Sequence, residues 1–411
     1  MLKIAKSEPQ AAYAAFTAGF KHKLTYYIRT IPKISHLLKR LDDFINQRLI
    51  PSMTEGHVCS NDDRRLLALP VRLGGLGIPI FSEISEREFE NSYTMTKNLI
   101  TEIKSQHEDY SLDVNSQKEL EKSIKKRKDD SLQDVLKDLR TRMTKEQLRS
   151  NDIAQMKGAS AWLTALPLKE ESYVLTKREF FDAIYLRYRW ELKRLPLKCA
   201  CGKNFEPDHA MTCLKGGFIH RRHDNIRDIV GELLNEVSYD VKIEPPLQPL
   251  SGEDLSPQTN KEDEARLDIS ARGFWNKCEM AFFDVRVFNP FAKTHLNRNL
   301  DSVFTSNESM KKRSYNQRVI QIEHASFTPI VVSAYGGFGR ETNHFISTLA
   351  CQLANKREMT YSHVSRYIRT KISFDLVRGQ VMCLRGSRTL KKTGIDVAEI
   401  EIVQNTANIK E

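Results

Sequence analysis

Apolar residues recur at helical spacing through the first fifty positions. AAYAAFTAGFKHKLTYYIRTI reads as one helix ended by Pro32. ISHLLKRLDDFINQRLI reads as a second, with Ile34, Leu37, Leu38, Leu41, Ile45 and Leu49 on one stripe and Pro51 closing it. RRLLALPVRLGGLGIP follows, where Gly74, Gly75 and Gly77 mark a turn. Residues 86–150 keep a helical pattern but are heavily charged and carry the mixed run KSIKKRKDD, which predicts an exposed helical connector. Residues 158–196 predict a small helical unit. In it Thr176 and Glu179 form a capping box, and Phe180, Ile184 and Tyr188 form a core stripe.

After residue 217 the period changes. RRHDNIRDIVGELLNEV predicts a helix with His223, Ile226, Val230, Leu233 and Val237 along one stripe, and YDVKIEP a short strand stopped by Pro245 and Pro246. A loop over residues 248–263 leads to two strand-like runs, RLDIS and FFDVRVFNP. Alternation sets Leu267 and Ile269 opposite Asp268, and sets Phe283, Val285 and Val287 opposite Asp284 and Arg286. SMKKRSYNQRVIQIEHA predicts a helix aligning Lys312, Tyr315, Val319 and Ile322, with Lys311 one turn from Tyr315. A buried strand, FTPIVVSAYGG, and a helix through TNHFISTLACQLANKR complete an order of helix, three strands, helix, strand, helix. The tail VRGQVMCLRGSRTLKK carries five basic and no acidic residues and reads as a strip for a DNA backbone or as a frayed terminus. The fold class is α+β, with several domains.

Composition narrows the function classes. With 411 residues, two or three domains are expected, and 40% hydrophobic with 28% charged residues is ordinary for soluble protein. A net charge of +11 favours polyanionic partners, nucleic acid before a membrane surface. No apolar run is long enough to span a bilayer, and MLKIAKSEPQ lacks the apolar segment of a secretory signal. Seven cysteines, three of them clustered, point to an intracellular, reduced protein with a metal site.

Two sets of residues carry candidate chemistry. Cys199, Cys201, His209 and Cys213 offer three thiolates and one imidazole, a tetrahedral zinc set with no open position and hence structural. Asp268 and Asp284 either face solvent from an antiparallel sheet or hold a divalent metal, since Mg²⁺ prefers carboxylate oxygens. Lys311, Lys312 and Tyr315 are spaced to point at those carboxylates, a combination suited to phosphodiester hydrolysis. Arg221, Arg222, His223 and Arg227 on the preceding helix, and Arg286 on the strand, are the expected nucleic-acid contacts.

Taken together, Cys199-x-Cys201, His209, Cys213, RRHDNIRD, RLDI, FFDVRV and a Lys-Tyr helix resemble the C-terminal half of early-branching, site-specific non-LTR retrotransposon proteins. In those polyproteins a zinc knuckle precedes a restriction-endonuclease-like domain that nicks target DNA to prime reverse transcription. Residues 11–80, ending in LPVRLGGLGI, resemble the thumb that follows the polymerase palm. The resemblance implies a thumb-like region over 11–98, a connector over 99–157, a helical unit with a CCHC knuckle over 158–217 (ligands in 199–213), an endonuclease-like domain over 218–375 and a basic tail over 376–411. It implies structural zinc, catalytic Mg²⁺ or Mn²⁺, DNA and element RNA as partners, and a nuclear location. Two positions depart from the family pattern. Leu267 stands where the family has Pro before the first Asp, and Arg286 fills the usual lysine position, where a base cannot be supplied. The family displaces that lysine to the following helix, which suits Lys311 or Lys312. No Tyr/Phe-x-Asp-Asp polymerase motif is present, so the expectation is a truncated element without polymerase activity, either an active endonuclease or a decayed nucleic-acid-binding fragment.

Overall fold

The computed structural model describes residues 1–106 and 114–388. Helices dominate it, and one four-stranded mixed sheet lies in the second half. The α+β class expected from the sequence is observed. Among the described residues, three helices begin on reciprocal capping boxes, Ser60 with Asp63, Thr144 with Gln147 and Thr176 with Glu179. Each box satisfies two N–H groups that a helix start would otherwise leave open.

The first fifty residues form helices that continue through two π-type turns, Phe16–Phe20 and Ile45–Leu49. Pro51 does not end the second helix. It sits at the start of the last turn, Ile50–Met53. The π turn just before it has already displaced the usual hydrogen-bond ladder, so the missing proline N–H costs little there. The glycine run then makes a tight structural turn. A Cβ on Gly75 would stand 1.9 Å from the Leu69 carbonyl oxygen. The Arg64 guanidinium donates to the Ile78 and Pro79 carbonyls at 2.8 Å each, and the Asp42 carboxylate accepts from the Phe81 and Ser82 N–H groups at 2.8 Å each. These bonds start α1 (Phe81–Ser105), which runs beside α2 (Val114–Arg140), whose base packs through Leu136 and Leu139 on Leu69 and Leu73.

Tyr13, Phe16, Ile45, Leu49 and Phe81 share one core with Trp162 and with Phe180 and Ile184 of α3 (Lys177–Tyr188). The unit expected over 158–196 is therefore continuous with the N-terminal helices. Each large apolar side chain buried there contributes about 2 kcal/mol.

The second half is built on α4 (Phe218–Val237), β1 (Tyr239–Ile243), β2 (Ile269–Arg272), β3 (Met280–Phe288), α5 (Leu300–Gln321), β4 (Ser326–Ser333), α6 (Arg340–Arg357) and α7 (Tyr361–Arg385). The strand order in space is β1-β2-β3-β4. The first two pairings are antiparallel and β3–β4 is parallel, with Asp284 opposite Pro329 and Arg286 opposite Val331. A parallel pair needs a long crossover, and α5 supplies it. Ile226, Val230 and Leu234 of α4, with Phe345 of α6 and Ile368 of α7, cover the face that carries Phe283 and Val285. Val303, Phe304 and Val319 of α5 cover the face that carries Phe282 and Phe288. Residues 281–285 of β3 are consequently all buried, which a solvated sheet face would not produce.

Two expectations change here. Asp268 lies in a bend just before β2 and not inside the strand. Residues 376–385, expected as the start of a basic tail, are the last turns of α7, where Leu376, Val377, Cys383 and Leu384 are buried. Residues 389–411 of that tail lie outside the described residues. Among the described residues no helix is long and apolar enough to cross a membrane.

Candidate metal centres

The Cys199–Cys213 segment folds into a small knuckle. Lys198 bridges to Asn204, the Cys199 N–H donates to the Lys203 carbonyl at 2.9 Å, and Gly202 turns the chain at φ +88°. His209 sits on the short helix Pro207–Ala210, and the Cys213 N–H donates back to its carbonyl at 2.9 Å. One ligand atom from each of Cys199, Cys201, His209 and Cys213 lies within 4.8 Å of the other three. The Cys199 and Cys213 sulfurs are 3.6 Å apart, and Cys201 Sγ is 3.3 Å from His209 Nε2. A tetrahedron of Zn–S bonds near 2.3 Å has edges of about 3.8 Å, so this cluster could hold a metal ion such as zinc. Burial, then the charges of Lys203 and Arg388, lower the pKa of His209. That favours the neutral imidazole, the form that ligates.

The knuckle is bolted to the rest of the molecule by a residue the sequence did not single out. Asp208 accepts from Arg189 at 2.8 and 3.2 Å and from the Tyr335 hydroxyl at 3.3 Å, and its carbonyl accepts from Asn289 Nδ2 at 3.2 Å. Asn289 follows β3 and Tyr335 follows β4.

The second centre gathers around the middle of the sheet. Asp284 is buried, and burial first, then the charge of Asp268, raises its pKa, against the pull of Lys311. Lys311 Nζ is 2.6 Å from Asp284 Oδ2, yet that oxygen lacks an aligned hydrogen bond. Asp268 Oδ2 accepts from the Val285 N–H at 2.6 Å and lies 3.2 Å from His223 Nε2, which is also 3.1 Å from the Val285 carbonyl. Both neighbours of Nε2 are acceptors, so that nitrogen carries a hydrogen. His223 Nδ1 is 3.3 Å from the Asp224 carboxylate. Burial opposes charging of the ring, but Asp268 and Asp224 outweigh it and carry the His223 pKa up to about 9. Two hard carboxylates, one with a buried oxygen left without an aligned donor, suit a divalent cation.

The other expected residues divide. Lys312 pairs with Glu341 at 2.9 Å, on the α6 side. Tyr315 packs its ring on Phe327 and lies 5.7 Å from Lys311 Nζ, while its hydroxyl accepts from Asn260 at 3.4 Å. Arg286 is exposed and Arg221 half-buried. Arg227 is held by Asp224, Asp228 and Glu244, so its charge is already answered. Arg222 is 2% exposed and cannot reach a nucleic-acid backbone as expected. It turns inward because its side chain falls on the α4 flank that meets α7 and the knuckle. Sequence spacing also missed Glu308. This buried carboxylate, its pKa raised by burial, accepts from the Glu341 N–H at 3.0 Å and so caps the start of α6. Nothing in SNESMKK distinguishes it from a surface glutamate.

No protein-family model matches the chain, and no curated protein matches it either.

Proposed function

We propose that this chain is a retrotransposon-derived, metal-dependent DNA endonuclease. The observation that carries the reading is the pair Asp268 and Asp284 brought to one place on a helix–three strands–helix–strand frame, with Lys311 from the crossover helix against Asp284. When bound, Mg²⁺ or Mn²⁺ supplies Lewis-acid polarisation of the phosphate and a more acidic water. Asp268 and Asp284 hold that ion. The buried wall of β3 limits water around them and strengthens charge interactions. Lys311, and not Lys312, is the proposed partner for negative charge that develops on the phosphate. Tyr315 flanks Lys311 and restricts its side chain. The Cys/His knuckle, with zinc as its proposed ion, the exposed Arg286 and the half-buried Arg221 position duplex DNA, with the element's RNA as a further partner. A nuclear location follows from that substrate. No polymerase activity is proposed for this chain.

A decayed, binding-only protein is the second reading. Arg286 in the strand lysine position favours it, as do the hydrogen bonds by which His223 engages Asp268 and the Val285 carbonyl. Nicking of supercoiled plasmid in Mg²⁺ or Mn²⁺ separates the two. The endonuclease reading expects metal-dependent nicking that is lost in Asp284→Ala and Asp268→Ala while salt-sensitive DNA binding persists. Nicking that survives both substitutions removes the proposed site, and binding without nicking by the folded, zinc-loaded wild type selects the second reading.

A further inference from the structure

Arg222 is buried at 2% exposure, and among the described residues no carboxylate forms an ion pair with it. Its guanidinium meets only weak or neutral partners. One Nη donates to the Met211 carbonyl at 3.3 Å. The other lies 3.5 Å from Met211 Sδ and 3.9 Å from Cys383 Sγ, and among the described residues Nε has no hydrogen-bond partner. Burial lowers its pKa, but a guanidinium stays charged in a folded protein. A buried charge without a counter-charge is strongly unfavourable.

The surroundings are nevertheless shaped to receive this side chain. A Cβ on Gly379, in the interior of α7, would stand 2.7 Å from Arg222 Cγ. Glycine weakens a helix at such a position, so the helix gives up stability to admit the arginine stem. Met211, the residue the guanidinium grips, lies midway between His209 and Cys213. A second guanidinium, Arg388, reaches the Ala210 carbonyl at 3.5 Å and lies over the Phe205 and Phe218 rings at 5.1 and 5.0 Å. Two cations therefore flank the 209–213 segment, and the described residues place no acid on Arg222.

We infer that the missing counter-charge of Arg222 is the metal–thiolate cluster itself. A divalent ion with three thiolates and one neutral imidazole carries a net charge of −1, from +2 and three charges of −1. Arg222 is thus a positioning residue that ties metal occupancy of the knuckle to the first helix of the sheet domain. The next residue on α4, His223, holds Asp268. Filling the knuckle fixes Arg222, and with it the start of α4 that brings His223 to the carboxylate centre. This inference rests on the zinc reading of Cys199, Cys201, His209 and Cys213.

The test uses the full chain and Zn²⁺ itself, titrated against a chromophoric chelator, with thermal unfolding of zinc-loaded and zinc-stripped protein. Arg222→Met keeps the length and removes the charge. It is expected to weaken zinc binding by about tenfold, the order of magnitude for losing one unit-charge attraction at an effective dielectric constant of about 20. Zinc-stripped Arg222→Met is expected to melt no lower than zinc-stripped wild type, because stripping already removes the counter-charge. Arg222→Lys keeps the charge and is expected to stay within about threefold of wild type. The inference is overturned if Arg222→Met binds zinc as tightly as wild type, or loses the same stability with and without zinc. Should Arg222→Met fail to fold, Arg222→Lys decides: a loss as large as tenfold assigns the role to the guanidinium fork and not to charge, which also overturns it. A wild-type chain that takes up no zinc fails the zinc reading as well, an outcome distinct from zinc binding that ignores Arg222.

Discussion

Substituting His223 by glutamine probes the carboxylate centre without any substrate. The glutamine amide would keep a hydrogen-bond donor near Asp268 but cannot carry charge. The folded-state pKa of His223 rises from 6.5 to about 9, and at about 1.4 kcal/mol per unit this is on the order of 3 kcal/mol. The side chain is 29% exposed, so solvent screens only part of it. A raised pKa means the stabilisation is fully present below pH 6.5 and is lost as pH rises through about 9. Urea unfolding of wild type and His223→Gln, without added magnesium and in steps from about pH 6 to about pH 10, reads the effect. The expected result is a stability difference that shrinks by about 3 kcal/mol over that range. A difference constant across the range refutes the reasoning, because it would show that the ring is not held charged by Asp268 and Asp224.

Other expectations follow from individual ion pairs. Asp182, whose side chain is 1% exposed, accepts from Arg385 at 2.7 and 2.8 Å; Asp182→Asn should destabilise the chain by about 3 kcal/mol in thermal or chemical unfolding, since it strands a cation against a buried surface. Lys311→Met should abolish plasmid nicking, because it removes the only cation paired with Asp284 among the described residues. Lys312→Met should leave nicking intact and cost under about 1 kcal/mol, its partner Glu341 being a partly exposed surface pair.

Periodicity carried much of this architecture into view. The alternation around Asp284 and the following Lys-Tyr helix announced the strand, helix, strand succession, and the polar Cys-rich stretch announced four side chains that could hold a metal ion. What alternation cannot reveal is what lies across from a face. Arg222 and Arg227 sit beside His223 on one helix, yet one is buried against α7 and the other is claimed by three carboxylates. Counting charges hid α7 in the same way. Arg378 and Arg385 read as a basic strip, but they reach the Ser172 and Val174 carbonyls and Asp182, while Ile368, Ile372 and Leu376 keep a helical stripe on the sheet domain. His223 differs again: the sequence groups it with the nucleic-acid contacts, and its imidazole instead meets Asp268 and the Val285 carbonyl.

One long helix has consequences for how the chain is made. α7 contributes Phe374 and Val377 to the N-terminal core, Ile368, Ile372 and Leu376 to the sheet core, and Cys383 and Leu384 to the knuckle cluster. During synthesis the helices before residue 190 leave the ribosome long before their last packing partner exists. At about 5–20 residues per second, that wait lasts roughly ten seconds or more, with an apolar seam uncovered. The nascent N-terminal body is therefore a natural client for chaperones, and a ribosome stalled before residue 374 would present a protein whose first core cannot close.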